Sequence, residues 1–195
     1  MLMSAHFLIA NSILENIDNN KSFFISEKNF IYGNIKPDIS SKYVFLKHYR
    51  TESLDMIAFK VNYLCNLNLD SLSKYFSLGK FNQELGVICH FLCDFFCVPH
   101  SQRWEFKHSM KKHMLYEIEL SAVAKELNLS KFKGDVITHN SFEEFFHVLY
   151  QDYINKLDYK NDLLFSSYAC NSVIHYILDC ILENTVNSYN IVHCV

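Results

Sequence analysis

Apolar residues recur three and four positions apart along nearly the whole chain, the spacing of one face of an α-helix. Strand-like alternation is scarce, and only four glycines and two prolines punctuate the 195 residues. The pattern predicts an all-α, multi-helix bundle. A first helix is expected behind Ser4 as N-cap, running to about Asp18. A short helical turn is expected near 26–31, followed by a loop, "YGNIKPDISSKY", around Pro37. Thr51 should cap a helix reaching about Cys65, and "DSLSKYFSLG" should form a short one. Longer helices are expected at about 80–98, 105–127, 141–157 and 161–186. The one long polar connection, "NLSKFKGDVITHN", is expected on the surface. No repeat or low-complexity linker interrupts this order, so residues 1–195 are expected to form a single domain.

Certain polar residues fall on the apolar faces. In the 80–98 segment, "HFLCDFFCVPH" places His90 and Asp94 four apart on one side of a helix that is apolar all round. A helix of that kind is buried, and an unpaired carboxylate inside it would cost several kcal/mol. Asp94 therefore needs a cation, and no Lys or Arg lies in the central turns of this helix. Protonated His90 would serve, and so would a metal ion. The 105–127 segment repeats the pattern: Phe106, Met110, His113, Glu117, Leu120, Ala124 and Leu127 make one stripe, with His113 and Glu117 again four apart. In the first helix His6 shares an inward stripe with Ile9, Ala10, Ile13, Leu14 and Ile17. Each pair alone is a weak motif. Together, imidazole and carboxylate on interior faces suit zinc and similar borderline ions, with room for open coordination positions.

Composition narrows the options. The formal net charge is −3 and basic residues are scattered, which gives no electrostatic case for nucleic acid. No stretch supplies about 18 uninterrupted apolar residues for a membrane span. The start of the chain lacks the basic region and cleavage site of a secretion signal, so a cytoplasmic location is expected, with the seven cysteines as free thiols. No C-x-x-C pair occurs. Cys89, Cys93 and Cys97 form an i, i+4, i+8 line that reads as small core hydrophobes.

In order, the chain presents His6, "GNIKPDI" (33–39), His48, "HFLCDFFCVPH" (90–100) and "HMLYE" (113–117). This resembles the zinc-dependent phospholipase C family, related in fold to single-strand-specific fungal zinc nucleases. The resemblance implies that Asp38, His48, His90 and Asp94 hold one zinc, and that His100, His113 and Glu117 hold a second. It implies that Asp94 bridges toward a third, shared with His6, and that Asp38 is the catalytic base. The implied activity is water attack on a phosphodiester, with phospholipid as the family's default substrate. One departure concerns the third zinc. The family completes it with the amino group and carbonyl of an N-terminal tryptophan, whereas "MLMSA" precedes His6 here.

The remaining histidines carry no comparable signal. His147 lies in a helix without a suitable partner, His175 and Asp179 read as an incidental pair, and His108, His139 and His193 read as non-functional. Phe23, Phe24, Tyr43 and Phe45 flank the proposed site loop and are candidates to line an acyl or base pocket. The rival readings are a nuclease or phosphatase of the same fold, a non-catalytic protein that keeps metal as a rivet, and a metal-free helical module.

Overall fold

The computed structural model describes residues 1–43, 46–104, 109–138 and 141–193. Among them the helices are α1 (Met3–Asn16), α2 (Glu27–Ile39), α3 (Arg50–Cys65), α4 (Leu69–Tyr75) and α5 (Leu78–Phe95). The one-turn α6 (Val98–Ser101), α7 (Met110–Glu126), α8 (Phe142–Tyr153) and α9 (Tyr159–His193) follow. Short 3₁₀ turns stand at Asn19–Phe24 and Leu129–Lys131, and no strand occurs among the described residues. None of the described helices is long and apolar enough to cross a membrane.

The apolar-all-round segment is the axis of the bundle. Residues Leu85 to Phe95 of α5 are buried without a break. α1, α2, α3, α6 and the 35-residue α9 all pack against this helix. Serines begin several helices by accepting an amide N–H three residues on: Ser77 for α5, Ser109 for α7 and Ser141 for α8. Asn68 and Ser71 form a reciprocal cap on α4.

Several boundaries differ from expectation. Ser4 is inside α1, whose N-cap is Leu2, and α1 stops at Asn16. Tyr49 rather than Thr51 caps α3. α8 ends early, at Tyr153, and α9 runs seven residues beyond 186. Residues 105–108, expected to begin the α7 helix, lie outside the described residues, as do Phe45 and His139.

The largest correction concerns the Pro37 loop, which is helix. α2 runs through Gly33 and Pro37, with Phe30, Gly33, Asn34 and Pro37 forming its buried face. Gly33 and Gly86 are where α2 and α5 touch backbone to backbone. A Cβ at Gly33 would fall on the Gln83 carbonyl, and one at Gly86 on the Phe30 carbonyl and the Asn34 nitrogen. Glycine here is a packing residue rather than a breaker. Pro37 removes one ladder bond near the C-terminal end, and the packed face offsets that loss. α5 also ends earlier than expected, at Phe95, and the chain at Cys97 is extended, with φ −119° and ψ 122°.

Candidate metal centre

All eight residues singled out in the sequence converge at the C-terminal end of α5. Asp94 is 1% exposed and its two oxygens face different groups. Oδ2 lies 2.7 Å from His48 Nδ1 and 3.2 Å from His90 Nε2. Asp38 joins this side, with Oδ1 3.6 Å from His90 Nε2 and 4.0 Å from His48 Nδ1. Oδ1 of Asp94 lies 2.6 Å from the Met1 amino nitrogen, 3.3 Å from His6 Nε2 and 3.8 Å from His100 Nε2. Beyond it, His100 Nε2 and His113 Nε2 each approach Glu117 Oε1 at 3.0 Å.

Each side chain is delivered by a separate element, and the packing explains its aim. His90 and Asp94 are one turn apart on α5, and His113 and Glu117 repeat that step on α7. Asp38 ends α2 because the Gly33–Gly86 contact lays that helix along α5. The same contact puts the Asn34 carbonyl 2.7 Å from His90 Nδ1. A carbonyl only accepts, so Nδ1 carries the proton and Nε2 presents its lone pair to the centre. His6 stacks on His90 with ring centroids 4.1 Å apart and planes at 17°.

Behind the second group lies a residue that sequence reasoning did not single out. Asp162 of α9, fully buried, accepts from the Val98 N–H, the Tyr116 hydroxyl and the Tyr153 hydroxyl. It thereby ties α6, which carries His100, and α7, which carries Glu117, to the longest helix. Burial pushes its carboxyl up to about 7, with the three donors pulling the other way.

The electrostatics follow from burial and proximity. Burial alone would raise the Asp94 carboxyl. The Met1 ammonium and the rings of His100, His90 and His6 reverse that and hold it well below the usual carboxylate range. Glu117 is lowered in the same way against burial, by the ammonium and by its bonds from His100 and His113. Burial lowers His6 to about 4, helped by His90, and burial and the ammonium lower His100, so both rings are neutral at pH 7. His48 runs the other way: burial lowers it, but its bond to Asp94 and the nearby Asp38 raise it more.

The cation that Asp94 requires is therefore more than His90. Met1 nitrogen also lies 2.8 Å from His100 Nε2 and 2.9 Å from Glu117 Oε1, so its three N–H bonds meet three acceptors. No residue type announced this; only its place ahead of the His6 stripe hinted at it. Two features fit a bound cation. Nε2 of His100 and Nε2 of His113 each lie 3.0 Å from Glu117 Oε1, so two nitrogens and a carboxylate oxygen converge on one point. Both ring nitrogens of His6 and Nδ1 of His100 are buried and make no hydrogen bond among the described residues. Neutral imidazoles and ionised carboxylates are the donor set zinc takes.

One sulfur lies beside the second group. Cys97 is buried in the core, as its line with Cys89 and Cys93 implied, and its Sγ also lies within 4.8 Å of ligating atoms of His100 and Glu117, all three mutually. His48, His90 and Asp94 form another such cluster, as do His6, Asp38 and His90. His175 lies elsewhere, 3.3 Å from Lys21 Nζ, which pairs with Asp179 at 2.7 Å. Phe23 and Phe24 line a groove with Phe81 near the start of α5. That is roughly 20 Å from Asp94 along the helix, so they do not flank the site.

The family described as zinc dependent phospholipase C matches residues 5–160 of this chain. No curated protein and no solved structure gives a significant match.

Proposed function

The chain belongs to the zinc-dependent phospholipase C family, and from that premise we propose a multi-zinc phosphodiester hydrolase of phospholipase C-like action. The observation that carries the reading is the division of Asp94: one carboxylate, buried, with each oxygen committed to a different group of histidines. A structural site needs no such bridge. Asp38, His48, His90 and Asp94 would hold one zinc, and His100, His113 and Glu117 a second. His6 and Asp94 Oδ1 supply donors toward a third. Zinc there would supply charge stabilisation at the phosphoryl oxygens and acidify water.

The chain's own residues divide the rest of the work. The Asp38 side chain is 30% exposed against 1% for Asp94, so Asp38 is the carboxylate at the solvent edge, where a substrate and its attacking water arrive. It is placed to take the proton of that water. His90, held by the Asn34 carbonyl, keeps its orientation without help from a ligand. The rim favours an amphiphilic diester. Ile39, which directly follows Asp38, is 51% exposed. The net charge of −3 does not favour a polyanionic nucleic acid.

The test is zinc-dependent hydrolysis of a generic phosphodiester and of a choline phospholipid by wild-type protein and Asp38→Asn. The variant should lose roughly 10²–10⁴-fold in turnover, far more than it loses in zinc binding. Parallel loss of zinc and turnover would make Asp38 a ligand only. Zinc-loaded wild-type protein that hydrolyses neither substrate would leave the metal as a rivet and sink the hydrolase reading.

A further inference from the structure

We propose that Cys97 is a ligand of the second metal position, making that position a thiolate–imidazole–carboxylate site. The inference rests on the metal-centre reading above and adds a donor that the family's motif does not supply.

The chain geometry carries it. Had α5 continued to residue 98, Cys97 would follow Cys89 and Cys93 into the core. Cys93 does go there, its Sγ 3.8 Å from Cys170 Sγ, and the Cys89 carbonyl accepts from the Cys170 thiol at 3.5 Å. α5 stops at Phe95 instead, and Cys97 becomes the extended N-cap of α6. The His100 N–H donates to the Cys97 carbonyl at 3.0 Å, closing one turn. The sequence Cys-Val-Pro-His (97–100) thus brings two zinc-ligand types, Cys and His, onto a single helical turn. Its sulfur and the ligating atoms of His100 and Glu117 lie within 4.8 Å of one another, on a fully buried residue.

The chemistry is consistent. Zinc takes sulfur, nitrogen and oxygen donors together, and a coordinating thiol gives up its proton to solvent. Cys97, His100, His113 and Glu117 make four protein donors, which close a tetrahedral site. The solvent-carrying position then falls to the Asp38 group, on the exposed side of the centre.

Cobalt(II) substitution tests this without relying on turnover. Cobalt-loaded wild-type protein should show a near-ultraviolet sulfur-to-cobalt charge-transfer band beside its visible bands. The band should persist in a Cys65→Ser/Cys180→Ser variant, which removes the two partly buried thiols. It should vanish in Cys97→Ser, which should also bind the second ion at least roughly 10-fold more weakly, the lower end of what losing a supporting partner costs. Visible cobalt bands with no thiolate band in wild type would overturn the proposal and leave the hydrolase reading intact. A band retained by folded Cys97→Ser would do the same. Protein that binds neither cobalt nor zinc would overturn both. Should Cys97→Ser fail to fold, the wild-type and double-variant spectra still decide, since neither alters Cys97.

Discussion

Asp94→Ala should strip metal from more than one position at once and abolish hydrolysis. Its Oδ2 serves the His48–His90 group and its Oδ1 the His6–Met1 group, so removing one side chain unmakes both. Elemental analysis should show a loss of about two ions per chain, and phosphodiesterase turnover should fall by at least roughly 10³-fold, since the lost electrostatic stabilisation is of that order. Metal-free, the variant leaves the Met1 ammonium buried without its nearest carboxylate. Breaking one side of a buried ion pair costs about 3–5 kcal/mol, so the apo variant should also unfold earlier than apo wild type. Asp94→Asn keeps the volume and separates charge from packing. Full metal content in Asp94→Ala would show that Asp94 is not the bridge.

Gly86→Ala should be strongly destabilising for a change of one methyl group. The added Cβ would fall on the Phe30 carbonyl oxygen, with the Asn34 nitrogen and the Gly33 carbonyl carbon next to it. All three are backbone, so no side-chain rotation relieves the clash, and α2 must move off α5. Overpacking of this kind costs typically 1–3 kcal/mol, and rigid backbone on the far side argues for about 3 or more. Thermal unfolding should drop by roughly 6–12 °C, at about 2–4 °C per kcal/mol for a chain of this size. The shift also moves the Asn34 carbonyl off His90 Nδ1 and draws Asp38 away from the centre, so zinc affinity should fall although residue 86 touches no ligand. An unchanged melting curve would contradict the close contact.

The clustering of these side chains was largely legible because they come as helical pairs. A His and a carboxylate four apart on an otherwise apolar face is a statement about geometry that sequence spacing makes directly. His90–Asp94 and His113–Glu117 both face inward as that spacing requires. What the sequence concealed has physical causes. Gly33 and Pro37 look like punctuation to local reasoning, yet Gly33 is there for a close helix contact that exists only in the tertiary fold. Asp38 was thereby assigned to a loop when it ends a helix. Cys97 is buried in the core as its line with Cys89 and Cys93 implied, but the backbone break before α6, which brings its sulfur near His100, was not legible. The contact of the Met1 amino group with Asp94 involves the main chain, which no side-chain pattern encodes. Asp162 sits beyond the recognisable motifs, on α9, and its role is set by three partners distant in sequence.

The most direct measurement is zinc content per chain, by elemental mass spectrometry, of protein purified without a metal-affinity tag and equilibrated with zinc. The arrangement around Asp94 and Glu117 predicts two or three ions per chain, and hydrolysis of a phosphodiester that disappears on chelation and returns with zinc. A folded protein that holds no zinc would mean that the Met1 ammonium and the histidines are all the charge Asp94 and Glu117 ever meet, and the metal-centre account would be wrong.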